Sequence, residues 1–149
     1  MSKWLRSDLP APNSERVRTV ALKLTIKPGE TVYINGAEIC NAGSSASLVL
    51  KNHCRILRES EMISESDAVS PCSKIVLALQ QIVLKENPFE ELNELSRLAV
   101  QILQTMPSVA PQILEIQQLL SEKKTHIAFK KGKALMALEA EGFRRAKAG

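Results

Sequence analysis

Aromatic side chains are nearly missing from this 149-residue chain, at 3% of its residues. Any core must therefore be aliphatic, and the 44% hydrophobic content is enough to build one, which excludes wholesale disorder. No apolar run approaches the ~20 residues of a membrane-spanning helix. Residues 1–20 hold charges and two prolines where a secretory signal needs an apolar stretch, so the expected compartment is the cytoplasm. Cysteine is represented by Cys40, Cys54 and Cys72, odd in number and widely spaced. With no CxxC pair and only His53 and His126 to help, neither a closed zinc site nor a disulfide framework is expected, and the thiols read as reduced.

Catalytic constellations are missing too. There is no GxSxG, no Walker loop and no GxGxxG. His53 has no nucleophile pattern beside it, and Glu90, Glu91 and Glu94 read as solvated helix carboxylates rather than an acid–base pair. Cys72 stands next to Pro71 at a predicted helix start, where a thiol pKa can fall, but no base or resolving thiol accompanies it. The expectation is a protein that is not an enzyme, with no catalytic residue, no cofactor and no metal.

What is present is an uneven charge. The formal net charge is +4. Residues 1–20 carry four Lys/Arg against two Asp/Glu, and residues 21–58 five against two. Residues 59–120 carry three against nine, and residues 121–149 eight against three. A basic front, an acidic middle and a basic tail point to an anionic partner at one end or both. The acidic middle excludes a chain that coats nucleic acid along its whole length.

Residues 1–20 show no periodicity and read as a flexible arm; residues 1–19 are expected to be dispensable or to reflect a misassigned start site. From Leu22 the pattern alternates: Leu22, Leu24 and Ile26 on one face, Lys23, Thr25 and Lys27 on the other, a half-buried strand. Pro28-Gly29 supplies a turn. Thr31 to Ile34 is a second strand, and Asn35-Gly36 is a type I′ hairpin signal. Further strands are predicted over about 37–40, at Leu48-Val49-Leu50 and from Cys54 to Leu57. Five short strands without intervening helix mean an antiparallel meander or a small barrel. After Arg58 the period lengthens. Ser64-Glu65-Ser66-Asp67 reads as a capping-box variant, and Ser70-Pro71 as a cap before an N1 proline. Helices are predicted from Pro71 to about Glu86, from the Asn87-Pro88-Phe89-Glu90 signal to about Thr105, from near Pro111, and over Thr125 to Glu139 with Gly132 a weak point. The fold class is α+β: a small antiparallel sheet or barrel module of about five strands, residues 21–58, then a helical module of about four helices, residues 59–141, and a basic tail, residues 142–149.

The run Leu22-Lys23-Leu24-Thr25-Ile26-Lys27-Pro28-Gly29-Glu30, with Tyr33-Ile34-Asn35-Gly36-Ala37 and Ile56-Leu57-Arg58-Glu59, resembles the opening of the FlbT family of flagellum-biogenesis regulators. The likeness continues through Ser64–Ala68, Pro71 and Lys74-Ile75, over about residues 21–140. It departs at Cys72-Ser73 and around Gly43–Ser45. The resemblance implies a regulator that binds the 5′-untranslated region of flagellin messenger RNA and controls its translation or decay. It also implies a small flagellar co-regulator protein as a partner of the helices. The first and last strands are similar to the edge strands of CsrA-type messenger-RNA-binding proteins, which hold RNA across an intertwined homodimer. By position that likeness implies RNA contacts from Leu24, Thr25, Lys27 and Arg58.

The residues themselves allow such a role. Lys23, Thr25 and Lys27 lie on the polar face of one strand, and Arg55 and Arg58 close a later one. Lysine and arginine neutralise phosphates, and a basic, hydroxyl-bearing sheet edge suits an unpaired RNA loop. The bland alternative is a solvated face whose lysines guard an edge against aggregation. Tyr33 is the one nearby ring for base stacking, which disfavours an aromatic platform. Lys130, Lys131 and Lys133 form a secondary basic patch on the last helix. A function of a different class is a flagellar export chaperone or adaptor whose helices grip a partner without direct RNA binding.

Overall fold

The structure, a computed structural model, describes residues 22–148, with side-chain surroundings through residue 145. The arm over residues 1–20 lies outside the described residues. The chain is α+β, as its periodicities predict. Five strands come first: β1 (Leu22–Ile26), β2 (Thr31–Ile34), β3 (Ala37–Cys40), β4 (Ala46–Leu50) and β5 (Ile56–Arg58). Four α-helices follow: α1 (Pro71–Leu84), α2 (Phe89–Thr105), α3 (Ala110–Ser121) and α4 (Thr125–Ala148). Short 3-10 turns cover Glu59–Glu61, Glu65–Asp67 and Pro107–Val109.

The strands do not form one meander. They divide between a two-stranded sheet, β1–β4, and a three-stranded sheet in the order β3–β2–β5. Two compact units result. Among the described residues, one comprises residues 22–30 and 40–54, the other residues 31–39 and 55–148. The division cuts across the strand-to-helix boundary, because β2, β5 and most of β3 belong with the helices.

In the first unit β1 and β4 run antiparallel, with Lys23 opposite Val49, Leu24 opposite Leu48 and Thr25 opposite Ser47. Leu24 and Ile26 are buried while Lys23 and Thr25 are exposed, the period-two pattern of a half-buried strand. Gly29 takes φ +77° in the turn after β1. Asn41 secures that end: its Nδ2 donates to the Ile26 carbonyl at 2.9 Å, and its carbonyl accepts from Gly29 N at 2.7 Å.

The second unit holds the main core. Val32 pairs with Arg58, Tyr33 with Leu57 and Ile34 with Ile56. The β2–β3 hairpin turns on Asn35 and Gly36, both at positive φ (52° and 87°), as a type I′ turn requires. Leu57 joins Ile75, Leu79 and Val83 of α1, Leu98 and Ile102 of α2, Ile116 of α3 and Phe129 and Leu135 of α4 in one apolar cluster. Helix α1 is its axis and packs against both α2 and α4. The run Ile75 to Val83 is apolar on most sides, as a helix enclosed by neighbours must be. Its one buried amide, Gln80, exchanges two hydrogen bonds with the backbone of Ile63, at 2.8 and 3.0 Å.

Ser70 caps α1 ahead of Pro71, as predicted: its Oγ accepts from Ser73 N at 3.2 Å. The Ser64–Asp67 run closes a 3-10 turn instead of opening an α-helix, and several other predicted ends move. Helix α2 begins at Phe89 with no side-chain cap. Helix α4 runs past Glu139 to Ala148, taking in most of the predicted basic tail. Helix α4 is continuous through Gly132. A Cβ there would stand 2.5 Å from Leu79 Cδ1, so a larger residue would require Leu79 to shift.

Candidate nucleic-acid interface

Alternation along β1 sends Lys23 and Thr25 outward, and the antiparallel register sets Val49 and Ser47 beside them. The outward face of this ribbon thus carries one ammonium, two hydroxyl-bearing residues and a valine. Lys27 follows, exposed, in the turn. Its backbone N–H donates to Glu30 Oε1 at 2.8 Å, which closes the turn. Neither the Lys23 nor the Lys27 ammonium makes an ion pair with a described residue. Ser47 was not singled out from the sequence. The signal was there, since the outward alternation of β4 brings Ser47 opposite Thr25 once the two strands pair.

Arg55 and Arg58 are placed differently. Arg58 ends β5, half-exposed, opposite Val32, and its backbone N–H donates to Glu61 Oε1 at 3.4 Å. Arg55 precedes β5 rather than closing it. Its Nε donates to the Val83 carbonyl at 2.9 Å, and its Nη2 lies 3.2 Å from Glu86 Oε1. Backbone bonds to Asn35 at 2.8 and 2.9 Å hold it on the hairpin. The guanidinium thus satisfies one of the last carbonyls of α1, which have no partner within the helix. Of the five predicted contact residues, Lys23 and Thr25 stand on one sheet and Arg58 on the other, with Lys27 and Arg55 just outside the strands. Strand β1 pairs with β4 and β5 with β2, so strand pairing within the chain does not join the first and last strands in one sheet.

Tyr33 is half-buried against the helical core. Burial first, then the carboxylates of Glu38 and Glu59, push its phenol above the ordinary tyrosine range. A ring packed in this way is not a free stacking platform.

The secondary patch on α4 is largely employed inside the molecule. Lys133 Nζ donates to the Glu61 carbonyl at 2.7 Å and sits 5.6 Å over the Phe129 ring. Lys131 pairs with Glu115 at 3.4 Å. Lys130 is exposed and makes no ion pair with a described residue. Cys72 departs from the low-pKa microenvironment that its place in the chain suggested. It is fully buried, and desolvation, reinforced by the Glu139 carboxylate, pushes its thiol up to about 12. Among the described residues no group of three His, Cys, Asp or Glu could hold a metal ion, and no helix is long and apolar enough to cross a membrane.

Fold and site together define a small α+β protein with a lysine-bearing strand face and a helical unit built round α1. The chain belongs to the FlbT family: the family model described as flagellar protein FlbT matches residues 22–143. It is similar to the flagellum biosynthesis repressor protein FlbT of Caulobacter vibrioides, 30% identical over 115 residues, which cover 77% of this chain and 79% of that one. A probable flagellum biosynthesis repressor protein FlbT of a Caulobacter species is 35% identical over 65 residues, 44% of this chain and half the length of that relative. The corresponding probable repressor of Mesorhizobium japonicum is 26% identical over 124 residues, 81% of this chain and 84% of that one. No solved structure matches the chain.

Proposed function

We propose that this protein regulates flagellum biogenesis after transcription, by binding the 5′-untranslated region of flagellin messenger RNA and controlling its translation or decay. Family membership supports the coarser statement, a regulator of flagellum biogenesis. One observation carries the finer one: the outward face of the β1–β4 ribbon bears Lys23, Thr25 and Ser47, followed by Lys27, with neither ammonium neutralised by a described carboxylate. Ammonium groups so placed neutralise phosphates, and the hydroxyls donate to phosphate or sugar oxygens. Arg58 adds a fork for a base edge or a phosphate. Arg55 supports the module by joining the β2–β3 hairpin to α1. A second copy would present a second ribbon, so the reading includes a homodimer acting in the cytoplasm without cofactor, metal or catalysis.

The test is a salt titration of binding to a flagellin leader RNA against a scrambled RNA of equal length. Each phosphate neutralised on a single strand contributes about 0.7 to the slope of log affinity against log salt. Changing Lys23 and Lys27 together to Gln should lower that slope by about 1.4 and weaken binding at low salt. A slope unchanged by the double substitution refutes the strand face as the RNA contact. Equal affinity for the scrambled RNA refutes the leader as the target.

A further inference from the structure

A groove of about 780 Å³ opens in the helical unit, between the start of α1 and the last turns of α4. Its walls are mostly apolar: Met106, Met136, Pro71 and Phe143 contribute, and Phe143 leaves 70% of its surface in solvent. An exposed phenylalanine on a helix end, in a chain with only three, is apolar surface that the fold does not use. Two methionines beside it give a wall that repacks around different side chains.

The charged groups that line the groove are both carboxylates, Asp67 and Glu139. Glu139 is held firmly. Ser70 Oγ donates to its Oε1 at 2.6 Å, and Cys72 N donates to its Oε2 at 3.4 Å, so it sits on the positive N-terminus of α1. Asp67 accepts from Ser64 Oγ at 2.9 Å. Neither has a cationic partner among the described residues. The arginines on the neighbouring turn, Arg144 and Arg145, face Glu141 at 3.6 and 3.8 Å.

We propose that this groove is a docking site for an amphipathic helix of another protein, with bulky apolar anchors on one face and lysine or arginine flanking them. The anchors would fill the space between Met106, Met136 and Phe143, and the flanking cations would meet Asp67 and Glu139. Charge complementarity selects this occupant. Paired carboxylates repel an RNA backbone or an anionic lipid surface, and a half-open trough ending on an exposed ring suits a helix laid along it. The site uses none of the strand residues and stands independently of the RNA reading.

The probe is a displayed library of short amphipathic helices with fixed apolar positions and randomised flanking charges, selected on the full chain. Helices with Lys or Arg beside the anchors should be enriched. The Phe143→Ser variant, altered at an exposed position and checked by an unchanged melt, should bind the selected helices about ten-fold more weakly. Asp67→Asn with Glu139→Gln should weaken the cationic helices several-fold, while an otherwise identical helix with neutral flanks loses little. Enrichment of acidic flanks, or equal binding by Phe143→Ser, overturns the proposal. So does self-association of the full chain that Phe143→Ser abolishes, since the occupant is then a second copy.

Discussion

Arg55→Ala separates a structural arginine from an RNA-binding one. In the parent, Nε donates to the Val83 carbonyl at 2.9 Å, from a side chain only 19% exposed. A charged donor on a backbone acceptor is worth about 1.5–3 kcal/mol. The pairing with Glu86 adds little, because that carboxylate is 85% exposed and such pairs contribute about 0–1 kcal/mol. The backbone bonds to Asn35 survive the substitution. The net cost should be about 2–3 kcal/mol, which in a chain of this length lowers the melting midpoint by about 4–10 °C. Urea unfolding followed by circular dichroism measures it, with the midpoint shifted and the slope unchanged. Affinity for leader RNA at a temperature where both proteins are folded should stay within about two-fold. The opposite pattern, a stability change below about 0.5 kcal/mol with RNA affinity lost about ten-fold, would refute the reasoning. Arg55 would then release Val83 to hold RNA.

The remaining predictions test other contacts in the same unit. Gly36→Ala should cost about 2–4 kcal/mol, because φ is +87° and the new Cβ would stand 2.7 Å from the Leu84 carbonyl oxygen; thermal melting reads it. Cys72 should resist iodoacetamide at pH 8 in the native protein and react only in denaturant, while the exposed Cys40 reacts in both. Because the folded Cys72 thiol is raised from 9.0 to about 12, the unfolded chain ionises first. The stability it supplies is whole below pH 9.0 and is lost as pH rises toward about 12; a flatter alkaline dependence for Cys72→Ala would show it. Lys133→Gln should cost about 1 kcal/mol through its bond to Glu61, whereas Lys130→Gln should change stability by less than about 0.5 kcal/mol.

Local features were legible and distant partnerships were not. The Leu22–Ile26 alternation, the Asn35-Gly36 turn and the Ser70-Pro71 cap each depend on residues a few positions apart, and each stands where its chemistry predicts. Pairing of β1 with β4 is different. Periodicity tells which residues share a face but not which strand supplies the neighbour, and a meander would have satisfied the same pattern. From the sequence Arg55 reads as an RNA-contacting cation, because its acceptor, Val83, lies 28 residues away. The end of α4 was misplaced for a local reason. Gly142 weakens a helix by about 1 kcal/mol, yet Glu141 reaches Arg144 and Arg145 one turn on, and pairs at that spacing support a helix through such a point.

The charge pattern shows how far a sequence signal survives folding. The basic ends point to an anionic partner, but much of the contrast between the basic last segment and the acidic middle is consumed within the helical unit. Lys131 meets Glu115, Lys133 meets the Glu61 carbonyl, and the Glu61 carboxylate lies 3.4 Å from His126. On the middle segment Lys85 pairs with Glu91 and Arg97 with Glu94. Among the charges left without a described counter-ion, two groups stand on elements that could take a ligand: the ammonium groups of Lys23 and Lys27 on and beside the strand ribbon, and the carboxylates of Asp67 and Glu139 in the helical groove. Opposite signs on different elements cannot both serve one ligand of uniform charge. An RNA can answer the first and a cationic helix the second, and loss of one by substitution should leave the other intact. Two surfaces of this kind on a single small chain are what a regulator needs if it is to hold a transcript while responding to a protein.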